Sequence, residues 1–221
     1  MAREVEYFYL KEVANRKFVH YDFSERFHDL LGDRVVGATW IIYGKSGQGK
    51  TRFALELARE FERQGKSVLF ASLEMGISKI FLDEIKEAGI LPGNSAMKLC
   101  EAIKLDELKT LLKKQRSPSV VIVDSIQYWD AEENLEFSEL LRLFKRCSKT
   151  TFVFLSHVEG KEVEGKLAYQ IKRECDTRIL IEGFKAILTG RGKGGKTGEY
   201  VIWEEGAARY WLKDNDNEEI Q

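Results

Sequence analysis

The sequence predicts an α/β fold: a parallel-centred sheet flanked by helices, closed by antiparallel hairpins toward the C-terminal end. Three observations carry that prediction. The octet Gly44-Lys45-Ser46-Gly47-Gln48-Gly49-Lys50-Thr51 satisfies the phosphate-loop pattern G-x-x-x-x-G-K-[ST], between the apolar run Ala38-Thr39-Trp40-Ile41-Ile42-Tyr43 and a helix-spaced stretch. A second apolar run, Ser119-Val120-Val121-Ile122-Val123, delivers an aspartate, Asp124. Strand-like and helix-like segments alternate up to about residue 157, after which strand-like runs follow one another closely.

In chain order, residues 1–35 read as an N-terminal segment packing on the core, with a strand-like run over 5–10 and a short helix over 23–31. Residues 36–213 form one core. Within it, 38–43 is a buried strand, and 51–64 is a helix with Phe53, Ala54, Leu57, Ala58 and Phe61 on one face. Residues 67–74 form a second buried strand ending on Glu74. Helices are expected over 78–87, 105–115 and 137–147, the second stopping before Ser117-Pro118. The strand 119–124 precedes the third helix, and the strand 151–157 follows it, ending on His157. Strand-like runs over 178–181, 184–188 and 200–203 close the core, and 209–212 reads as an added edge strand. Residues 214–221 are an acidic, frayed tail.

The residue types dictate the chemistry. Glycines let backbone N–H groups curl around an anion, and the following helix turns its positive dipole end toward it. Lys50 can reach β- and γ-phosphates while the Thr51 hydroxyl can ligate Mg²⁺, so ATP with Mg²⁺ is the expected ligand pair. Asp124, at the carboxyl edge of the sheet, can hold the same metal through water. Glu74, ending a strand at that edge, can orient and deprotonate an attacking water; the alternative is a plain strand-end acid. Because Ser125 rather than a second acid follows Asp124, the base must come from elsewhere, which favours Glu74. His157 can hydrogen-bond a γ-phosphate or report it to the next loop; alternatively its neighbours satisfy it.

Composition excludes several classes. The chain has 221 residues, 43% hydrophobic and 32% charged, enough for one sizeable core. No apolar run approaches the roughly 20 residues that cross a bilayer, so no membrane partner is expected. Cys100, Cys147 and Cys175 are far apart and without a C-x-x-C pairing, which suits a reduced, cytoplasmic setting and argues against zinc. Net charge is −1, yet residues 141–196 carry thirteen Lys/Arg against six Asp/Glu, and 197–221 carry two against seven. That asymmetry fits contact with a polyanion on one face, or simply a mixed solvated surface.

Four stretches resemble known families. Ser72-Leu73-Glu74-Met75 resembles the strand end bearing the catalytic glutamate of DnaB-type replicative helicases. Val123-Asp124-Ser125-Ile126-Gln127 and Cys175-Asp176-Thr177-Arg178-Ile179-Leu180-Ile181-Glu182-Gly183 resemble bacterial RadA. Arg191-Gly192-Lys193-Gly194-Gly195-Lys196-Thr197-Gly198 is similar to the hairpin that carries a Lys-x-Arg pair in these families, with the two cations exchanged. Over roughly residues 30–206 the resemblance implies a RecA-like P-loop ATPase core that assembles into a ring or filament. ATP then lies at the subunit boundary, and Arg191 or Lys193 is delivered onto the neighbour's γ-phosphate; a flexible glycine-rich turn is the alternative. It also implies single-stranded DNA as partner, contacted by the loop after His157 and the next helix through Lys161, Lys166, Lys172 and Arg173. Replication or recombination proteins are further partners the resemblance suggests. The chain is expected to be a bare motor core, without zinc-finger, protease-like or primase-binding domains. Two other readings stay open: a KaiC-like regulatory ATPase acting on a protein partner, and a nucleotide-gated interaction module with little turnover.

Overall fold

The computed structural model describes residues 7–190, 195 and 197–218. Eight strands form one sheet. In chain order they are β1 (Thr39–Gly44), β2 (Val68–Ser72), β3 (Lys98–Cys100), β4 (Val120–Asp124), β5 (Thr151–Ser156), β8 (Thr177–Glu182), β9 (Lys185–Leu188) and β10 (Glu199–Val201). A separate two-stranded hairpin, β6 (Val158–Glu159) with β7 (Glu162–Val163), follows β5. The spatial order is β10-β9-β8-β1-β5-β4-β2-β3. From β8 to β3 every pairing is parallel, while β8–β9 and β9–β10 are antiparallel. The expected parallel-centred sheet with C-terminal antiparallel hairpins is therefore observed.

Burial explains the strand composition. Every residue of β2, β4 and β5 is buried, as parallel strands covered on both faces require. One face is covered by α3 (Lys50–Arg63) and α4 (Lys79–Glu87), whose Phe53, Phe61 and Phe81 are fully buried with Trp40 and Phe70. The other face carries α5 (Leu105–Leu112), α6 (Ile126–Glu133), α7 (Phe137–Arg146) and α8 (Lys166–Glu174) around Trp129, Leu140, Phe152 and Phe154. Each such side chain contributes about 1.5–3 kcal/mol on burial.

Ahead of the sheet lie α1 (Leu10–Ala14) and α2 (Glu25–Leu31). Tyr21, Phe23, Phe27, Leu30 and Leu31 are buried in the same core as Trp40 and Phe61. The segment is fastened by Tyr21 Oη to Thr151 Oγ1 (2.6 Å), Ser24 N to Glu60 Oε1 (2.6 Å) and Asp22 N to Gln64 Oε1 (2.8 Å).

Three local expectations are corrected. Tyr7–Tyr9 form no strand, and Leu10 opens a helix instead; residues 7–18 are exposed, and the backbone first pairs with the body of the fold at the isolated bridge His20–Val35. The expected edge strand at 209–212 lies within the helix α9 (Glu204–Glu218). Glu204 and Glu205 favour its N-terminal dipole, and the Trp211 indole donates to Gly183 O (3.2 Å). That helix also carries the backbone past the boundary expected at 213/214. Sequence periodicity missed β3, α6 and the β6–β7 hairpin, all short.

Candidate functional site

The site forms where β1, β5, β4 and β2 end side by side. Gly44 closes β1, where an added Cβ would fall 2.1 Å from the Ile181 carbonyl oxygen, so only glycine lets β8 approach. Gly47 and Gly49 adopt φ of 73° and 94°, the left-handed region that glycine enters freely. The loop then runs into α3, whose first turn contains no acid, leaving its dipole free for an anion.

Lys50 is buried and donates from Nζ to the carbonyl oxygens of Gly44 and Lys45, both at 3.0 Å. Burial lowers its pKa, while Asp124 and Glu74 pull it back up. Its ammonium is thus held over the loop by carbonyls that a phosphate can replace. Thr51 Oγ1 donates to Asp124 Oδ2 at 2.8 Å. Asp124 is nearly inaccessible, and burial pushes its carboxyl up to about 6 despite the Thr51 hydrogen bond. An acid buried at that electrostatic disadvantage, facing a hydroxyl, fits a divalent cation: Thr51 and Asp124 would hold it.

Glu74 lies just past β2. Its N–H and that of Leu73 donate to Asp124 O at 3.0 and 2.6 Å, which fastens the two strand ends together. Its Oε2 lies 2.8 Å from His157 Nε2, and this contact holds the Glu74 carboxyl below the usual carboxylate range. Glu74, Asp124 and His157 therefore converge from three adjacent strands upon the phosphate loop.

Gln127 belongs to the same cluster, though sequence reasoning gave it no role. Its amide nitrogen donates to Ser156 Oγ and Glu164 O, both at 2.8 Å, and its oxygen accepts from His157 N at 3.3 Å. It links the end of β5 to the segment after the β6–β7 hairpin.

The cleft over the loop measures about 620 Å³, and its far wall holds Phe184, Ile202 and Trp203. Sequence reasoning also missed these, because Trp203 stands about 150 residues from the phosphate loop and only the fold brings the two together. Gln48 Oε1 accepts from Gly183 N at 3.2 Å, joining the phosphate loop to that wall.

The expected DNA contacts do not form one free basic surface. Lys161 and Lys166 are exposed around the hairpin. Lys172 is engaged, with Nζ 3.0 Å from Glu162 Oε2 and 4.3 Å from the Tyr43 ring centre, while Arg173 lies 6.0 Å over Tyr169. Arg191 and Lys193 lie outside the described residues. The turn beyond them is tied to the end of α2, Thr197 N and Gly198 N donating to Asp29 O at 3.2 and 2.9 Å.

Fold and site together define a RecA-like P-loop ATPase core. Residues 38–160 match the family described as AAA domain, and the chain belongs to it. Two curated relatives are DNA repair protein RadA of Chlamydia muridarum, 24% identical over 78% of this chain and 40% of the relative, and that of Campylobacter jejuni, 31% identical over 88% and 46%. The chain thus spans less than half the length of these relatives. Among solved structures, the flagellar accessory protein FlaH of Methanocaldococcus jannaschii aligns with a TM-score of 0.58 at 19% identity, covering 83% of this chain and 92% of that one. A KaiC-like protein of Pyrococcus horikoshii aligns at 0.60 and 16%, covering 84% and 98%. These two likenesses carry the fold alone. Among the described residues, no helix is long and apolar enough to cross a membrane.

Proposed function

We propose that this chain hydrolyses ATP and uses the nucleotide state to control its grip on single-stranded DNA, as a motor core in recombination, repair or replication. The observation that carries the reading is the Glu74–His157 contact at the root of the β6–β7 hairpin. Bound Mg²⁺ supplies charge neutralisation on the phosphates. Lys50 and the loop N–H groups bind the phosphates, and Glu74 orients the water and accepts its proton. His157 holds Glu74 in place, and through Gln127 the end of β5 is joined to the segment carrying Lys161 and Lys166. A γ-phosphate that draws on this cluster would shift the hairpin. The similarity to two DNA repair proteins supports the DNA partner, and homo-oligomeric assembly with Arg191 or Lys193 reaching a neighbour's site completes the reading.

A second reading has its own support. Glu159, Glu162 and Glu164 dilute the hairpin's positive charge, and Glu162 occupies Lys172. A regulatory ATPase with a protein partner needs no such basic surface. ATPase turnover with and without single-stranded DNA, together with binding to a labelled single strand across a salt series, separates the two. Stimulation and a steep salt slope that flattens in the Lys161/Lys166/Lys172/Arg173 alanine variant support the first reading. Turnover indifferent to DNA supports the second, and negligible turnover leaves a nucleotide-gated interaction module.

A further inference from the structure

We infer that the groove between α5 and α7 is a docking site for a short acidic, leucine-type segment of a partner protein. The groove measures about 400 Å³, with Leu112, Leu143 and Cys147 as its floor. Lys109 and Lys113 stand on one bank, Arg142 and Arg146 on the other. Glu139 is the one acid lining it, and it is shared between Lys109 (3.7 Å) and Arg142 (4.0 Å). Among the described residues, Lys113 and Arg146 enter no ion pair.

The surroundings deepen the imbalance. Residues 108–123 and 140–158 contain no Asp or Glu, while Lys114, Arg116, Lys145 and Lys149 flank the lining cations and are exposed. Cations near a helix C-terminus complement its dipole, which accounts for one or two per helix. It does not account for two banks of like charge facing each other across an apolar floor, where Asp106 (2.9 Å from Lys109) and Glu139 offset Lys109 and Arg142 but leave Lys113 and Arg146 for an incoming anion.

Chemistry narrows the occupant. No aromatic side chain lines the groove, so it offers no platform for stacked bases. An eight-residue helix is about 12 Å long, which matches roughly four residues of extended peptide. An aliphatic side chain on Leu112 and Leu143, with carboxylates on the two banks, satisfies both features at once. The site is separate from the phosphate cleft and independent of the proposed DNA function. It lies on the opposite face of the sheet from α3, toward the C-terminal ends of α5 and α7, which lead into the starts of β4 and β5.

The test uses the full chain and a fluorescein-labelled twelve-residue peptide that alternates leucine with paired glutamates, read by anisotropy. We expect saturable, salt-sensitive binding that falls about tenfold or more in Lys113→Glu/Arg146→Glu. Replacing the glutamates by glutamine, or the leucines by serine, should each weaken it comparably, and bound peptide should slow alkylation of Cys147. Circular dichroism and ATP binding of the variant, equal to wild type, show that it is folded. Peptide binding that ignores the two substitutions or the leucines overturns the inference. So does tighter, groove-dependent binding of oligo(dT), or self-association of the chain that the charge reversal abolishes.

Discussion

His157 Nε2 lies 2.8 Å from Glu74 Oε2 although β4 runs between the strands that bear them. The contact therefore arches over the end of β4, where Asp124 sits. Any group entering between the phosphate loop and this arch meets a carboxylate already oriented by a histidine. Orientation of this kind matters because a base misplaced by an ångström loses much of its effect.

Glu74→Gln should keep ATP binding and lower kcat by about 10²–10⁴, the range for losing a positioned general base. His157→Ala should cost less, because it removes the orienting partner and leaves the base. Its distinguishing mark is pH dependence. His157 holds the Glu74 carboxyl below its usual range, so without it that pKa rises and activity on the acid side is lost at a higher pH. Profiles of kcat at saturating Mg-ATP read this directly. Identical acid limbs in wild type and His157→Ala would leave His157 with a packing role only.

Asp124 yields a prediction of opposite sign for stability. Its folded pKa of about 6 exceeds the ordinary 3.8, so between those values the folded chain keeps a proton that the unfolded chain releases. Stability from this group is therefore greatest below about pH 4 and falls as pH rises through 6. Asp124→Asn should raise the melting temperature of the nucleotide-free protein at pH 7.5, by on the order of 1–3 kcal/mol in stability, with the gain vanishing below about pH 4. Mg²⁺-dependent ATP affinity should move the other way, lost in the variant and weakening in wild type as pH falls through 6. Calorimetric scans across pH, with and without Mg-ATP, measure both.

Much of this site was legible in the sequence because its parts are local. A glycine loop between an apolar run and an amphipathic helix needs no tertiary information, and neither does an apolar strand ending on Asp124 or Glu74. That Glu74 and His157 touch was not legible, since it depends on β4 lying between β2 and β5, which is a fact of strand order. The engagement of Lys172 was illegible for a similar reason: its charge is plain in the sequence, but Glu162 and the Tyr43 ring beside it come from other elements. At 209–212 aromatic and aliphatic residues read as a strand. There, helix-favouring Ala207 and Ala208 and the docking of Trp211 on Gly183 decided otherwise.

The far wall of the cleft predicts how the nucleobase is read. Trp203 is 45% exposed and packs edge-to-face on Phe184 with ring centres 5.0 Å apart. Phe184 holds a φ of 60°, an unfavourable conformation for a bulky side chain, and the neighbouring Gly183 N–H is fixed by Gln48 of the phosphate loop. Ile202 packs within 3.3 Å of where a Gly49 Cβ would stand, so wall and loop form one rigid unit. A base reaching from the loop would stack on Trp203. ATP should then quench tryptophan fluorescence, and Trp203→Phe should remove most of that quench because, of the four tryptophans, Trp40 and Trp129 are buried and Trp211 sits behind Gly183 without lining the cleft. Trp203→Ala should weaken ATP by about 1–3 kcal/mol, the usual worth of one base–aromatic stack. Binding of inorganic tripolyphosphate, which has no base, should be unchanged. Equal losses for ATP and tripolyphosphate would mean that Trp203 shapes the phosphate loop through Ile202 and Gly49 and does not contact the base.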